Sequence, residues 1–329
     1  MDKQHLKVNV VSIRDEAPGI RAFSIARADG CPFDQYEPGA HIDVHAPSGV
    51  TRQYSLCGDP SRRELLSFAV KREDASRGGS RSLHDDVYLG TELTVSLPRN
   101  LFQLAPEAQR HILIAAGIGI TPLLNMAYRL IARKANFVLH YFVRSKEYAA
   151  FVNLLSAEPF ANHVRWHVGT ARQQLDVELD HELAVYRAVA GESANVHLYT
   201  CGPAPFMDRV IAVAEHYLPP EAIHLERFGA GSPSLSSSEQ SLEFEVELAR
   251  SGQVVRVASG ISIVAALAAI GVEIDTSCGE GVCGTCMVDV VSGEPDHRDH
   301  CLSKAERASG KMICCCVSRA RSSKLVLDL

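Results

Sequence analysis

Toward its carboxyl end the chain reads Cys278-Gly279-Glu280-Gly281-Val282-Cys283-Gly284-Thr285-Cys286. Four and then two residues separate the three cysteines, and three glycines lie among them. Two irons and two sulfides need four thiolates converging on a compact cluster, and a tight loop can bring three of them round it. Glycine permits positive φ, so backbone N–H groups can approach the sulfurs and help set a reduction potential. C-x4-C-x2-C with a more distant fourth cysteine is the plant-type 2Fe–2S spacing. A structural zinc site prefers paired CxxC or Cys/His knuckles, and only one CxxC is present.

The fourth ligand is to be found among Cys301, Cys314, Cys315 and Cys316. The last three are consecutive, so spacing does not choose between them. Successive side chains of a strand point to opposite faces, which sets Cys315 apart from Cys314 and Cys316. A cysteine that binds no iron is expected to be a small buried hydrophobe. The chain has 10 cysteines, most of them between Cys278 and Cys316. Such local clustering in a large chain fits metal binding better than disulfides.

Before the loop, Leu242–Leu248 and Val254–Val257 alternate as a hairpin would, and Ser262–Ile270 reads as a short helix. Between Gly229 and Gln240 the residues are small, polar and Pro/Ser-rich, the composition of a linker. Farther back, apolar strands at His111–Ala116, Phe137–Phe142, Val164–Val168, Val196–Thr200 and Ile223–Phe228 alternate with helical stretches. Those stretches lie near Pro122–Arg133, Ser145–Ala157, Val177–Val189 and Pro205–Tyr217. The alternation predicts an α/β domain with a parallel sheet covered on both faces. The first hundred or so residues are β-rich instead: Lys7–Ile13, His41–His45 and Leu65–Val70 are apolar runs separated by Pro/Gly turns, a barrel or sandwich pattern.

Two turns in the α/β region suit a dinucleotide. His111–Ala116 runs into Gly117-Ile118-Gly119-Ile120-Thr121-Pro122, and Val196–Thr200 runs into Cys201-Gly202-Pro203. Glycines at a strand-to-helix turn let a diphosphate approach the backbone, and ligands of open α/β sheets sit beyond the carboxyl ends of strands. In the β-rich region, Arg52-Gln53-Tyr54-Ser55 combines a cation, an aromatic plane and a hydroxyl. Arg77-Gly78-Gly79-Ser80-Arg81-Ser82 is a Gly/Ser turn flanked by arginines. Together they have the makings of a phosphate cradle, although composition alone favours a surface strand with a solvated turn.

At 329 residues the chain is long enough for two or three domains, and 46 % hydrophobic with 22 % charged residues is an ordinary globular balance. A net charge of −6 leaves no basic footprint for nucleic acid. The amino end carries no signal-like apolar run, and the longest apolar stretch, Ile261–Val272, is shorter than the ~20 residues of a membrane span. A cytoplasmic protein that binds no membrane is expected.

In combination these motifs resemble the phthalate dioxygenase reductase family, which includes the vanillate demethylase reductases, over essentially the whole chain. The resemblance implies three modules: an antiparallel β-barrel that binds FMN (1–104), an NAD-binding α/β domain (105–229) and, after a linker (230–239), a β-grasp 2Fe–2S ferredoxin domain (240–329). It implies that Arg52, Tyr54 and Ser55 contact the flavin, that Lys71 lines it, and that Gly78, Gly79 and Ser80 hold its phosphate. Gly117, Gly119, Thr121 and Pro122 match the nicotinamide-side turn, and Cys201, Gly202 and Pro203 its companion. Ser55, Thr121 and Cys201 are thereby expected at the catalytic centre. Phe228, in Glu226-Arg227-Phe228, matches an aromatic near the flavin, with a core residue closing the last strand as the other reading. Cys316-Val317-Ser318-Arg319-Ala320 matches the family's closing stretch and makes Cys316 the fourth ligand beside Cys278, Cys283 and Cys286. Asp296-His297-Arg298-Asp299 also matches, but a charged loop is expected to be merely solvated.

The resemblance further implies that NADH gives a hydride to FMN, which passes single electrons through the cluster to a terminal oxygenase with Rieske and mononuclear iron centres. Arg144, after the second strand, is expected near the adenine ribose, where it would also suit a 2′-phosphate. Other acceptors, a cytochrome or a ferredoxin, remain open. So does a redox-sensing regulator whose cluster only reports oxidation state.

Overall fold

The computed structural model describes residues 5–74, 78–190, 195–228, 243–276, 278–282, 284–302 and 304–329. Arg77, Cys283 and the expected linker 230–239 lie outside them. The chain forms two compact units, Met1–Glu226 and Arg227–Leu329.

The first unit opens with β1 (His5–Ala17) and β2 (Ile20–Arg27), whose hairpin turns at Pro18-Gly19 with Gly19 at φ 71°. After β3 (His41–His45), β4 (Thr51–Ser55), β5 (Leu66–Lys71), α1 (Gly79–Asp85) and β6 (Glu92–Ser96), the sheet is complete in the order β4-β3-β6-β1-β2-β5. Every pairing in it is antiparallel. A bridge from Leu56, just past β4, to Phe68 on β5 joins the two edges and closes the expected barrel. Phe23, Ile25, Ile42, Val44, Leu66 and Phe68 fill it.

The same unit continues into β7 (Arg110–Ala116), α2 (Ile120–Ala132), β8 (Asn136–Val143), α3 (Val152–Leu155), β9 (Val164–Val168), α4 (Arg172–Ala190), β10 (Val196–Cys201), α5 (Ala204–Ala214) and β11 (Ile223–Glu226). These strands form a wholly parallel sheet, β11-β10-β7-β8-β9. Its central strands read as unbroken apolar runs because both faces are covered. On β7, Leu113 and Ala115 join α2 and barrel residues such as Ile20 and Ala69 in one core, while Ile112 and Ile114 pack with α4 and α5 in another.

Asn125, fully buried on α2, fastens helix to barrel. Its Oδ1 accepts from Gly39 N at 3.0 Å, and its Nδ2 donates to Gly58 O at 2.6 Å.

Three local expectations are corrected. The helix expected over Ser145–Ala157 is only α3 preceded by a 3-10 turn at Lys146–Tyr148. Phe151 stands at φ 60°, and Ala150 N donates to the buried Tyr141 hydroxyl at 3.2 Å, so the segment is pinned out of helical register. The last strand stops at Glu226 rather than Phe228. The Gly/Ser turn at Gly78–Ser82 is the start of α1, with Gly78 at φ 96°.

The second unit holds β12 (Phe244–Leu248), β13 (Val254–Val257), α6 (Ile263–Ala268), β14 (Met287–Ser292), β15 (Pro295–Asp296), α7 (Lys304–Ser309), β16 (Met312–Cys314), β17 (Arg319–Ala320) and β18 (Lys324–Leu327). The main sheet, β13-β12-β18-β14-β16, is mixed: β12 runs parallel to β18 and antiparallel to β13. Ser262 caps α6 by accepting from Ala265 N at 3.1 Å. Ile263 and Leu267 then pack on Val246, Leu325 and Leu327. A mixed sheet, two short helices and the cysteine loop are the α+β arrangement expected of a ferredoxin domain.

Buried histidines give the first unit a pH dependence. His140 is pushed down to about 3 by burial, and His111 and His224 to about 4 by burial and by repulsion from His197. His140 Nδ1 meets His167 Nε2 at 3.0 Å, and His167 Nδ1 meets Glu178 Oε2 at 3.1 Å, so a neutral His140 ring has its hydrogen-bond partner. Between these values and the ordinary 6.5 the unfolded chain binds protons that the native state does not. Stability is therefore full above pH 6.5 and lost as pH falls toward 4. Trp166, the only tryptophan, lies 5.4 Å from Tyr141 and reports on this sheet. Its fluorescence should show a lower urea midpoint at pH 5 than at pH 7.5, with His140 contributing on the order of 1–2 kcal/mol. His140→Gln should flatten the difference, and a midpoint unmoved by pH would contradict neutral burial.

Candidate functional site

The parallel sheet reverses its order between β7 and β10, which makes that gap the switch point where a ligand of an open α/β sheet binds. Both glycine turns end there. A Cβ on Gly119 would stand 2.2 Å from Cys201 O, and one on Gly202 would stand 2.9 Å from Ala116 Cβ. The turns interlock backbone to backbone, so neither glycine can be exchanged without moving the other turn. Thr121 is buried and its Oγ1 donates to Ile118 O at 3.0 Å, which fixes the turn Gly117–Gly119. Pro122 is buried in the first turn of α2, where no N–H is required. Pro203 is the N-cap of α5, and Pro205 lies in the first turn of that helix.

One strand over, β11 ends on Glu226, opposite Cys201 in the parallel register. Ser55, the last residue of β4, donates its Oγ–H to Glu226 Oε2 at 2.8 Å. Burial pushes this carboxyl up to about 7, against the lowering effect of the Ser55 hydrogen bond. Burial, reinforced by the nearby Glu226 charge, likewise holds the Cys201 thiol well above its ordinary value and keeps it neutral. A hydroxyl, a thiol and a carboxyl able to change protonation near neutrality thus meet where barrel and nucleotide sheet join. Glu226 carries no recognisable motif. Its one sequence signal is an acid closing an apolar strand.

On the barrel, Tyr54 stacks on Phe68 at 5.5 Å and burial raises its hydroxyl above the ordinary range. A Cβ on Gly79 would come within 3.0 Å of Arg52 Cγ, so the arginine stem and the start of α1 share one small space. Gly78 and Ser80 flank that contact, and Ser80 Oγ accepts from Glu73 N at 3.1 Å. Lys71 ends β5 exposed and pairs with Glu73 at 2.5 Å. Arg144 follows β8 and is exposed. Phe228 is 43 % exposed, so it is not the core residue of a closing strand.

In the second unit Gly279, Gly281 and Gly284 all have φ between 64° and 71°. Glu280 N donates to Cys278 Sγ at 3.3 Å, the amide-to-sulfur bond that the glycines were expected to allow. Cys286 is buried and receives hydrogen bonds from the thiols of Cys314 and Cys316, which favour its thiolate form. Cys316 also feels the charge of Cys278. Cys315 points instead into the apolar core with Ile313 and Leu325, the opposition expected of consecutive residues. These sulfurs and amides fit a cluster of two irons held by thiolates.

The charged loop 296–299 is not merely solvated. Asp299 is 1 % exposed and accepts from Leu302 N at 3.0 Å and Ser318 Oγ at 3.1 Å. His300 N donates to Gly281 O at 2.7 Å, tying this loop to the cysteine loop. Arg319 is buried and donates to Ile261 O and Ala258 O, a structural role for the closing stretch.

A closed antiparallel barrel, a switch-point nucleotide sheet and a cysteine-loop domain define a modular electron-transfer oxidoreductase. The model of the 2Fe–2S iron–sulfur cluster binding domain matches residues 246–321. The chain is 41 % identical to the vanillate O-demethylase oxidoreductase of Pseudomonas sp. strain HR199 over 98 % of this chain and 100 % of that one. A solved phthalate dioxygenase reductase, described as a modular structure for electron transfer from pyridine nucleotides to 2Fe–2S, superposes with TM-score 0.70 and 36 % identity, covering 99 % of this chain and 98 % of that one. The chain also matches part of an intact type IV self-sufficient cytochrome P450 monooxygenase, with TM-score 0.85 and 35 % identity; 99 % of this chain corresponds to 41 % of that longer one. The chain belongs to the phthalate dioxygenase reductase family and is an iron–sulfur oxidoreductase.

Two substitutions test the switch point. Gly119→Ala should lower the rate of reduction by NADH on the order of 100-fold by displacing the interlocked turns, measured by stopped flow; an unchanged rate would refute the interlock. The carboxyl of Glu226 is protonated below about pH 7 and ionised above it. The pH profile of the same step should therefore break near 7, and Glu226→Gln should remove the break.

Proposed function

We propose that this chain is the reductase component of a Rieske-type aromatic-ring oxygenase or O-demethylase, using NADH, FMN and a 2Fe–2S cluster. The meeting of Ser55, Cys201 and Glu226 at the nucleotide switch point carries this reading. It gives the barrel and the parallel sheet one shared polar centre. When bound, the cofactors supply hydride acceptance and release of single electrons, chemistry that no side chain here provides.

The chain's own residues supply geometry. Gly119 and Gly202 leave backbone room for the dinucleotide, with Gly117, Thr121, Pro122 and Pro203 shaping that room and Arg144 toward the adenine ribose. Cys201 offers the nicotinamide a neutral, close-packed surface. Ser55 presents a hydroxyl oriented by Glu226 to the flavin edge, Tyr54 lies against the ring and Lys71 lines it. Arg52 with Gly78, Gly79 and Ser80 would hold one phosphate, which favours FMN. Cys278, Cys283, Cys286 and Cys316 would ligate the irons. In this reading residues 1–104, 105–229 and 240–329 are the three modules, joined by 230–239.

The terminal oxygenase, with its Rieske and mononuclear iron centres, is the proposed partner. Among the described residues no helix is long and apolar enough to cross a membrane, and the balance of charge does not suit nucleic acid. A cytoplasmic location is part of the proposal. The likeness to a self-sufficient cytochrome P450 favours a second acceptor, a haem protein.

The purified protein should be coloured, with about two irons and two sulfides per chain, and should release FMN rather than FAD. Cys316→Ser should lose the iron while Cys314→Ser keeps it. A preparation holding zinc, or iron retained without Cys316, would overturn the ligand assignment. Coupled turnover with a Rieske oxygenase and with a P450, each supplied in purified form, distinguishes the two acceptors.

A further inference from the structure

The molecule carries a pair of thiols that the electron path does not use. We propose that Cys301 and Cys314 form a reversible dithiol–disulfide site, oxidised by hydrogen peroxide, beside the cysteine loop.

Their sulfurs lie 2.7 Å apart. A disulfide bond measures about 2.05 Å, so less than an ångström of closure is needed. Cys301 is partly exposed and can meet a small oxidant, whereas Cys314 is buried. The contact is held from both sides. Cys301 sits between His300, whose amide donates to Gly281 O at 2.7 Å, and Leu302, whose amide donates to Asp299 Oδ2 at 3.0 Å. Cys314 belongs to β16, paired with Met287 of β14.

A metal is the competing occupant, because ligand atoms of Asp299, Cys301 and Cys314 fall within 4.8 Å of one another. Two thiolates on one tetrahedral zinc, each about 2.3 Å from it, would stand about 3.7 Å apart. The pair is already closer than that. Both carboxylate oxygens of Asp299 are also engaged, by Leu302 N and Ser318 Oγ.

The chemistry balances with one peroxide. Cys301 sulfur attacks a peroxide oxygen: an S–O bond forms, the O–O bond breaks, and the departing hydroxide takes the thiol proton to become water. Cys301 is then a sulfenic acid. Cys314 sulfur attacks it: the S–S bond forms, the S–O bond breaks, and a second water leaves with the Cys314 proton. Two thiols have lost two electrons, and the peroxide has gained them.

This cross-link stands on the geometry alone. Its effect on the cluster rests on the ligand assignment proposed above. Cys314 is paired across the strands with Met287, next to Cys286, and a thiol donor beside a cluster sulfur raises its reduction potential. Oxidation consumes that S–H, so the oxidised protein should hold a cluster of lower potential that accepts electrons less readily.

The test titrates the cluster-loaded full chain with hydrogen peroxide and follows three readouts: peptide mapping after alkylation, iron content and the cluster midpoint potential. The expected result is a Cys301–Cys314 cross-linked peptide with loss of two alkylatable thiols, unchanged iron, a midpoint shifted downward, and reversal of all changes by dithiothreitol. Cys301→Ser should abolish both cross-link and shift, and Cys314→Ser should abolish the cross-link. Oxidation of Cys301 to a sulfinic acid without a cross-link, or zinc bound at the pair, would overturn the proposal. A cross-link formed with the cluster midpoint unmoved, or in protein that takes up no iron on reconstitution, would uphold the thiol pair and sink the cluster reading instead.

Discussion

Two backbone turns approach each other so closely that a single methyl group would separate them. Gly119 faces Cys201 O, and Gly202 faces Ala116, each at a distance that no Cβ tolerates. The parallel sheet can reverse its order at β7 and β10 and still present two bare turns on the same edge only because both positions lack side chains. The buried strands bring the turns together, and α2, begun directly after the first turn, carries the Asn125 clamp that holds the barrel. The position of Ser55 relative to Glu226 depends in turn on that barrel being held.

The acid at this centre shows how burial converts an ordinary side chain into a functional one. Glu226 in water would be ionised at neutral pH, whereas enclosed behind Ser55 it sits near the midpoint of its titration. Cys201, opposite it, is kept neutral by the same enclosure. The ferredoxin unit works in the other direction at Cys286, where hydrogen bonds from neighbouring thiols favour the charged form of the sulfur. One chain thus uses desolvation at one centre and hydrogen bonding at the other.

The cysteine loop shows which interactions a local motif can carry. Positive φ at Gly279, Gly281 and Gly284 and the Glu280 amide bond to Cys278 are properties of a few consecutive residues, and the glycines of the loop foretold positive φ and an amide near a sulfur. The support around the loop comes from farther away. Asp299 is buried under Ser318 and Leu302, and the loop it anchors is stitched to Gly281. Charge made 296–299 look like a solvated segment, because composition does not register that a carboxylate can be buried once backbone and hydroxyl donors surround it.

Sequence by itself determined what short range can encode: the alternation of strands and helices, the glycine turns after β7 and β10, the barrel strands, and the spacing of Cys278 and Cys286 about Cys283. These follow from periodicity and from backbone conformations that only certain residues adopt. Tertiary structure alone decided that Ser55 meets Glu226 across 171 residues of chain, that Cys301 touches Cys314, and that 145–157 is mostly not α-helical. Each of these depends on strand register and on burial between distant segments, and a side chain's partner across a core leaves no periodic trace in its neighbours.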